Sequence, residues 1–172
     1  AVWERALKDN KPVVILEVGA LDRNESWKVG LNGINNTATW CDPYQENRWD
    51  KFKIESKEWK NDGEFITICT QRPDSTQWNH MPPISEYVCF QIAQVRKYSD
   101  KPIVIRPHPR DKYTDWRFLK GKQDVFFDVP KQNKGTYDSF NHEQIFERSE
   151  CVINHSSGPS IQAALDGIKV IT

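Results

Sequence analysis

The chain has 172 residues, and its 24 Lys plus Arg are balanced by 24 Asp plus Glu, so the formal net charge is zero. That length accommodates one domain, or one domain and part of another. A neutral balance supplies no global field for a polyanion, which argues against a nucleic-acid coat or a polybasic membrane binder.

In chain order, residues 1–10 resemble the middle of an amphipathic helix. A β-branched run, Val13 to Leu16, reads as a strand that leads into Glu17, Val18 and Gly19. Residues 20–62 are rich in loop formers (Asn24, Asn32, Gly33, Asn35, Asn36) and carry Trp27, Trp40, Trp49 and Trp59. These rings suit packing or stacking on a sugar or base. From residue 64 the pattern changes. Residues 65–69 form a short apolar strand between Asp62-Gly63 and Gln71-Arg72-Pro73. Ile84, Val88, Ile92 and Val95 fall at helical spacing over residues 83–98, after a Pro82-Pro83 start. Strands are predicted at 102–106 and 124–128, followed by a polar loop over 131–139. Asn141 with Gln144 three residues on has the form of a capping box for a helix over 141–149. A strand at 151–154, a helix at 159–166 with Ile161, Ala164 and Leu165 inward, and a last strand at 169–172 complete the pattern. Asp166-Gly167 ends that helix, glycine supplying the left-handed residue.

Apolar runs alternating with helical patterns specify a parallel sheet with crossover helices. Strands covered on both faces are continuously apolar, as these are. Residues 64–172 are therefore expected to form a Rossmann-like α/β domain, and residues 1–63 the tail of a preceding domain and a linker. The chain starts without Met and stops on an apolar strand, so it is expected to be a fragment of a longer protein. No apolar run approaches the roughly 20 residues of a membrane span, and no signal-peptide pattern opens the chain. A cytoplasmic protein is the expectation. Cys41, Cys69, Cys89 and Cys151 show no C-x-x-C spacing, and reduced core thiols are the simplest use for them.

Ligands of open parallel sheets bind beyond the carboxyl ends of the strands. Three polar loops are expected there. His155-Ser156-Ser157-Gly158-Pro159 places Ser157 to cap the following helix, and the same amides and hydroxyls suit a phosphate. In Arg106-Pro107-His108-Pro109-Arg110 two prolines fix the backbone around one imidazole, and two guanidinium groups flank it. In Gln71-Arg72-Pro73-Asp74-Ser75 the last two residues serve equally as turn formers or ligand contacts.

A strand ending in Arg106-Pro107-His108-Pro109, followed about 45 residues on by a strand, Ser156-Ser157 and an Ala163-Ala164-Leu165-x-Gly167 helix, resembles the nucleotide-sugar half of GT-B glycosyltransferases. The likeness is to capsule-polysaccharide and Kdo-type transferases, and to related phage glycosyltransferases. It covers roughly residues 64–172. The resemblance implies transfer of a sugar from a UDP- or CMP/CDP-activated donor to a glycan or a modified nucleic-acid base, with no tightly bound cofactor. Catalytic roles fall on His108 and on Glu17 as acceptor-activating base. Donor binding falls on Arg106, Arg110, Ser156, Ser157, Gly158, Gln71, Asp74, Ser75 and Asp128. Without a clear Asp-x-Asp motif, a metal-independent reaction is expected, its leaving phosphate stabilised by the His/Arg loop and the amides at Ser156–Gly158. Two other readings stand beside it: a non-catalytic nucleotide- or phosphosugar-binding domain, and a metal hydrolase with His108 and His155 as ligands.

Overall fold

The computed structural model describes residues 2–21, 25–33, 37–39, 50, 52–136 and 139–172. Trp40, Cys41, Trp49, Asn24, Asn35 and Asn36 lie outside them. The chain divides into two compact units, residues 1–55 and 56–172.

In the first unit, helix α1 (Val2–Lys8) precedes strand β1 (Val14–Val18), which pairs antiparallel with β2 (Trp27–Leu31). β2 falls in a stretch read from the sequence as loop. Its register sets Val14 opposite Leu31, Leu16 opposite Val29 and Val18 opposite Trp27. Alternation then puts these side chains on one face, and Val14, Leu16, Trp27, Val29 and Leu31 on it are all solvent-exposed.

The second unit is a five-stranded, all-parallel sheet flanked by helices, a Rossmann-like α/β arrangement. Its strands are β3 (Phe65–Cys69), β4 (Ile103–Arg106), β5 (Val125–Phe127), β6 (Ser149–Asn154) and β7 (Lys169–Ile171). They lie in the order β5-β4-β3-β6-β7. β3 is therefore central, and the chain reverses direction across the sheet when it passes from β5 to β6. This places a topological switch point between β3 and β6.

Both faces of the sheet are packed. Helix α2 (Ile84–Val95) lays Ile84, Tyr87, Val88, Ile92 and Val95 against Ile66, Ile68, Ile103, Ile105 and Ile153. Each such aliphatic contributes about 1.5–3 kcal/mol on burial. The spacing of Ile84, Val88, Ile92 and Val95 is the core-facing stripe the sequence predicts. Arg96 closes the helix, its guanidinium donating to the carbonyls of Ser99 (3.2 Å) and Lys101 (2.7 Å). On the opposite face, α3 (Glu143–Arg148) and α4 (Pro159–Leu165) contribute Phe146 and Ala163, which pack with Cys69, Val152 and Ile168.

Several local expectations are corrected. Ala163 is the fully buried residue of α4, whereas Ile161 is exposed; a seven-residue helix presents too short a stripe to bury the flanking positions. The N-cap of α3 is His142, with no side-chain cap bond, because the Asn141 carboxamide is engaged elsewhere. Gly167 does end α4 as expected, at φ +76°. Part of the anticipated linker is welded to the α/β unit: the amides of Lys57 and Lys60 donate to the carbonyls of Leu165 (2.8 Å) and Gly167 (2.7 Å). Lys101 Nζ also donates to the Gly63 carbonyl (2.7 Å). Among the described residues, no helix is long and apolar enough to cross a membrane.

Candidate functional site

Because β3, β4 and β6 are parallel neighbours, their carboxyl ends share one edge of the sheet, and Cys69 is in register with both Arg106 and Asn154. The loops that follow them, from Thr70, Pro107 and His155, leave from that edge. The β4 and β6 exits are two strand spacings apart, about 9.5 Å, with the β3 exit between them.

The β4 loop is built around His108. Thr70, buried at the end of β3, donates its amide to the Arg106 carbonyl (3.0 Å) and accepts the His108 N–H at Oγ1 (3.3 Å). The His108 carbonyl accepts the Asp111 amide (2.9 Å), and its Nδ1 accepts the Arg110 amide (3.1 Å). With prolines on both sides, backbone and ring are fixed together. His108 is half-buried and Arg110 is exposed.

Arg106 does not join its neighbours as a ligand cation. Its side chain is only 4% exposed and forms an ion pair with Asp128, which follows β5. It also reaches Asn141 Oδ1 at 3.4 Å, and that oxygen accepts the Lys131 amide at 2.7 Å. A buried guanidinium needs a carboxylate and further acceptors, and these residues supply both. Arg106 and Asp128 thus tie the β4 and β5 exits to the chain leading into α3.

On the β6 side, buried Asn154 organises the loop. Its Oδ1 accepts the Ser157 amide (3.0 Å) and hydroxyl (2.6 Å), and its Nδ2 donates to the Ser157 carbonyl (3.1 Å). Ser157 is consequently not the N-cap of α4; that position is Gly158, which is exposed. The Ser157 carbonyl accepts from Ser160 instead. Ser156 is exposed, with Oγ 2.9 Å from His155 Nδ1. The His155 ring stands edge-on to Trp78, centroids 5.0 Å apart. Trp78 is buried and donates its indole N–H to the Pro82 carbonyl (2.8 Å).

In the β3 loop, Gln71 is buried, donating to Gln77 Oε1 (3.0 Å) and accepting the Arg72 amide (3.2 Å). Ser75 caps a short 3-10 turn, Thr76–Trp78, by accepting the Gln77 amide at 3.3 Å. Asp74 is exposed and pairs with Arg72 (3.6 Å). Of the two uses open to Ser75, turn formation is the one this geometry displays.

The α/β unit thus brings His108, Arg110, Ser156, Ser157, Gly158, Gln71, Asp74 and Ser75 to one edge. Glu17 belongs to the other unit, where it lies opposite Lys28 across the β1–β2 ladder and forms an ion pair with it. The structural roles of Thr70, Trp78, Asn141 and Asn154 were not anticipated. Asn154 alone had a readable signal, an Asn at a strand end three residues before Ser, which is the spacing of a side-chain–backbone turn. A separate groove of about 330 Å³, walled by Phe65, Val104, Phe126, Phe127 and Ile145, takes in Asp128 from the expected donor-binding set but none of the residues of these three loops. Among the described residues, no cluster of three or more His, Cys, Asp or Glu side chains could hold a metal ion.

No protein-family model matches the chain, and no curated protein matches it significantly.

Proposed function

We propose that the carboxyl edge of β3, β4 and β6 binds the nucleotide and phosphates of an activated sugar, and that the chain is the donor half of a metal-independent GT-B-type glycosyltransferase. The observation that carries this reading is the convergence of the His108 turn and the Asn154–Ser157 loop on either side of the central strand, at the topological switch point where α/β sheets accept ligands. In the reaction, bond cleavage at the anomeric carbon leaves negative charge on a nucleoside phosphate. His108, the Arg110 guanidinium and the amides of Ser156 and Gly158 are donors suited to that charge, the Ser157 amide being spent on Asn154. Arg106 and Asp128 then act behind the site, by holding the turn.

A second reading, a non-catalytic nucleotide- or phosphosugar-binding domain, is favoured by one feature. Glu17, the anticipated acceptor base, is already engaged with Lys28 across the β1–β2 ladder. Both readings require nucleotide binding; only the first requires turnover.

A thermal-shift panel of UDP-, CMP-, CDP- and GDP-sugars tests the shared claim. The expected result is stabilisation by one nucleotide class, about 2.7 kcal/mol at a hundredfold excess over Kd, and its loss in His108→Ala. Absence of a shift with every nucleotide would overturn the proposal. Sugar transfer or donor hydrolysis that survives Glu17→Gln would remove that residue from the mechanism.

A further inference from the structure

We propose that the outer edge of the α/β sheet, along β5 and the loops at its two ends, binds single-stranded nucleic acid. The neutrality of the whole chain conceals an uneven distribution of charge. Residues 106–134 carry eight Lys or Arg against four Asp, a net charge of +4, so the remainder of the chain carries −4. The fold then sorts these groups. Arg106 is buried against Asp128, and Arg117 pairs with Asp115 at 2.6 Å. Asp111 spends Oδ1 on the amides of Tyr113 (3.0 Å) and Thr114 (3.1 Å). Lys112, Lys120, Lys122, Lys131 and Lys134 are all exposed, and among the described residues their ammonium groups have no hydrogen-bond or ionic partner. The carboxylates of this stretch are thus largely consumed inside it, while five cations are left facing solvent.

Their positions follow from the topology. β5 is the outermost strand, beyond β4. Lys120 and Lys122 lead into its amino end, and Lys131 and Lys134 leave from its carboxyl end. Lys112 and Tyr113 follow the His108 turn at the carboxyl end of neighbouring β4. Nine residues separate Lys122 from Lys131, no more than roughly 32 Å of extended chain. Between these two sets of cations β5 exposes Phe126 (56%) and Phe127 (43%), and Tyr113 beside Lys112 is 70% exposed. Phe126 and Phe127 point to opposite faces of the sheet, so each flank of the edge carries a ring. Ammonium groups neutralise phosphates, and exposed rings accept the faces of unstacked bases. Cations alone suit any polyanion; the interleaved rings select one whose bases are unpaired. A free mononucleotide, with one base and few phosphates, cannot bridge the two ends of β5. The surface is therefore separate from the carboxyl-edge site, and it stands whether or not that site holds a nucleotide sugar.

Fluorescence anisotropy of the whole chain with a labelled oligothymidylate of about 12 nucleotides tests this. Binding is expected at low salt, with log K falling against log salt at a slope of about −2 to −3.5, as three to five neutralised phosphates require. Replacing four lysines together (Lys120→Gln, Lys122→Gln, Lys131→Gln, Lys134→Gln) is expected to weaken binding about tenfold or more and to flatten the slope. Tyr113→Ala with Phe126→Ala is expected to weaken it about fivefold or more and to leave the slope unchanged. Two further comparisons use the parent protein, so they do not depend on how a variant folds. An abasic strand of the same length, and a duplex of the same length, are each expected to bind about fivefold or more weakly than the oligothymidylate. No binding at low salt, or equal affinity for the abasic strand, would overturn the proposal. So would tighter binding of the duplex, or binding to phosphatidylserine vesicles with none to the oligomer.

Discussion

Asn154 and Ser157 are joined by three hydrogen bonds that use both polar atoms of the asparagine carboxamide. Asn154 is 2% exposed and ends β6, so the bonds fix the path of the chain as it leaves the sheet. Asn154→Ala is expected to cost about 1–3 kcal/mol, the range for removing one partner from buried hydrogen bonds. Asn154→Asp keeps the two acceptor bonds at Oδ1 and loses the donor, and should fall between. Urea unfolding of the three proteins checks the order. Wild-type stability in the alanine variant would mean that the loop holds its shape without the clamp.

Arg106 and Asp128 make a pair in which one member is buried and the other half-exposed. Removing the carboxylate strands a guanidinium in the protein interior, so Asp128→Ala is expected to destabilise by about 2–4 kcal/mol. The double change Arg106→Met with Asp128→Leu should recover much of that loss, since it removes the uncompensated charge. Denaturant midpoints of the single and double variants provide the check. Equal losses in both would show that the ion pair is not what the fold requires of these positions.

Cys69 lies in the core beside Arg106 and Phe146, and burial pushes its thiol up to about 12. The folded chain therefore retains a proton that the unfolded chain releases near the ordinary thiol value. This contribution to stability is fully present below about pH 9 and is lost as pH rises towards 12. Cys69 is expected to resist alkylation at pH 8 in the native protein and to react once denaturant is added. Mass spectrometry of the modified peptides reads this directly, and fast native labelling of Cys69 would contradict the packing described.

Gly121 and Gly167 both have positive φ, +81° and +76°. Nothing lies within 4 Å of a Cβ at Gly121, whereas a Cβ at Gly167 would collide with the Glu58 carbonyl oxygen. Gly121→Ala is expected to cost about 1–2 kcal/mol for the left-handed backbone alone. Gly167→Ala should cost clearly more, since it also displaces the segment that Lys57 and Lys60 hold against α4. Thermal melts of the two variants separate backbone strain from contact. Equal costs would show that the segment yields freely.

The sheet was legible because its strands are short, continuous apolar runs and its longest described helix, α2, carries an unbroken 3.6-residue stripe of Ile84, Val88, Ile92 and Val95. β2 was not, because Trp27-Lys28-Val29-Gly30-Leu31 has Gly30 at the inward position and sits among loop formers. Its apolar residues face solvent, so no burial pattern marks it. The loops that gather at the carboxyl edge were legible from strand order alone. Their internal wiring was not, since a side chain capable of capping is equally capable of serving a distant partner. Asn141 has the sequence of a cap but serves Arg106 and the Lys131 amide instead. Arg106, judged by its neighbours, reads as a ligand cation beside His108; only the fold reveals that Asp128 comes beside it.

Backbone amide NMR during titration with CMP and UDP addresses the central claim most directly. Binding at the proposed edge is expected to move signals of residues 70–78, 107–111 and 154–158 together, while those of Glu64, Phe126 and Arg148 around the separate groove stay in place. Shifts confined to that groove, or none at saturating nucleotide, would contradict the account.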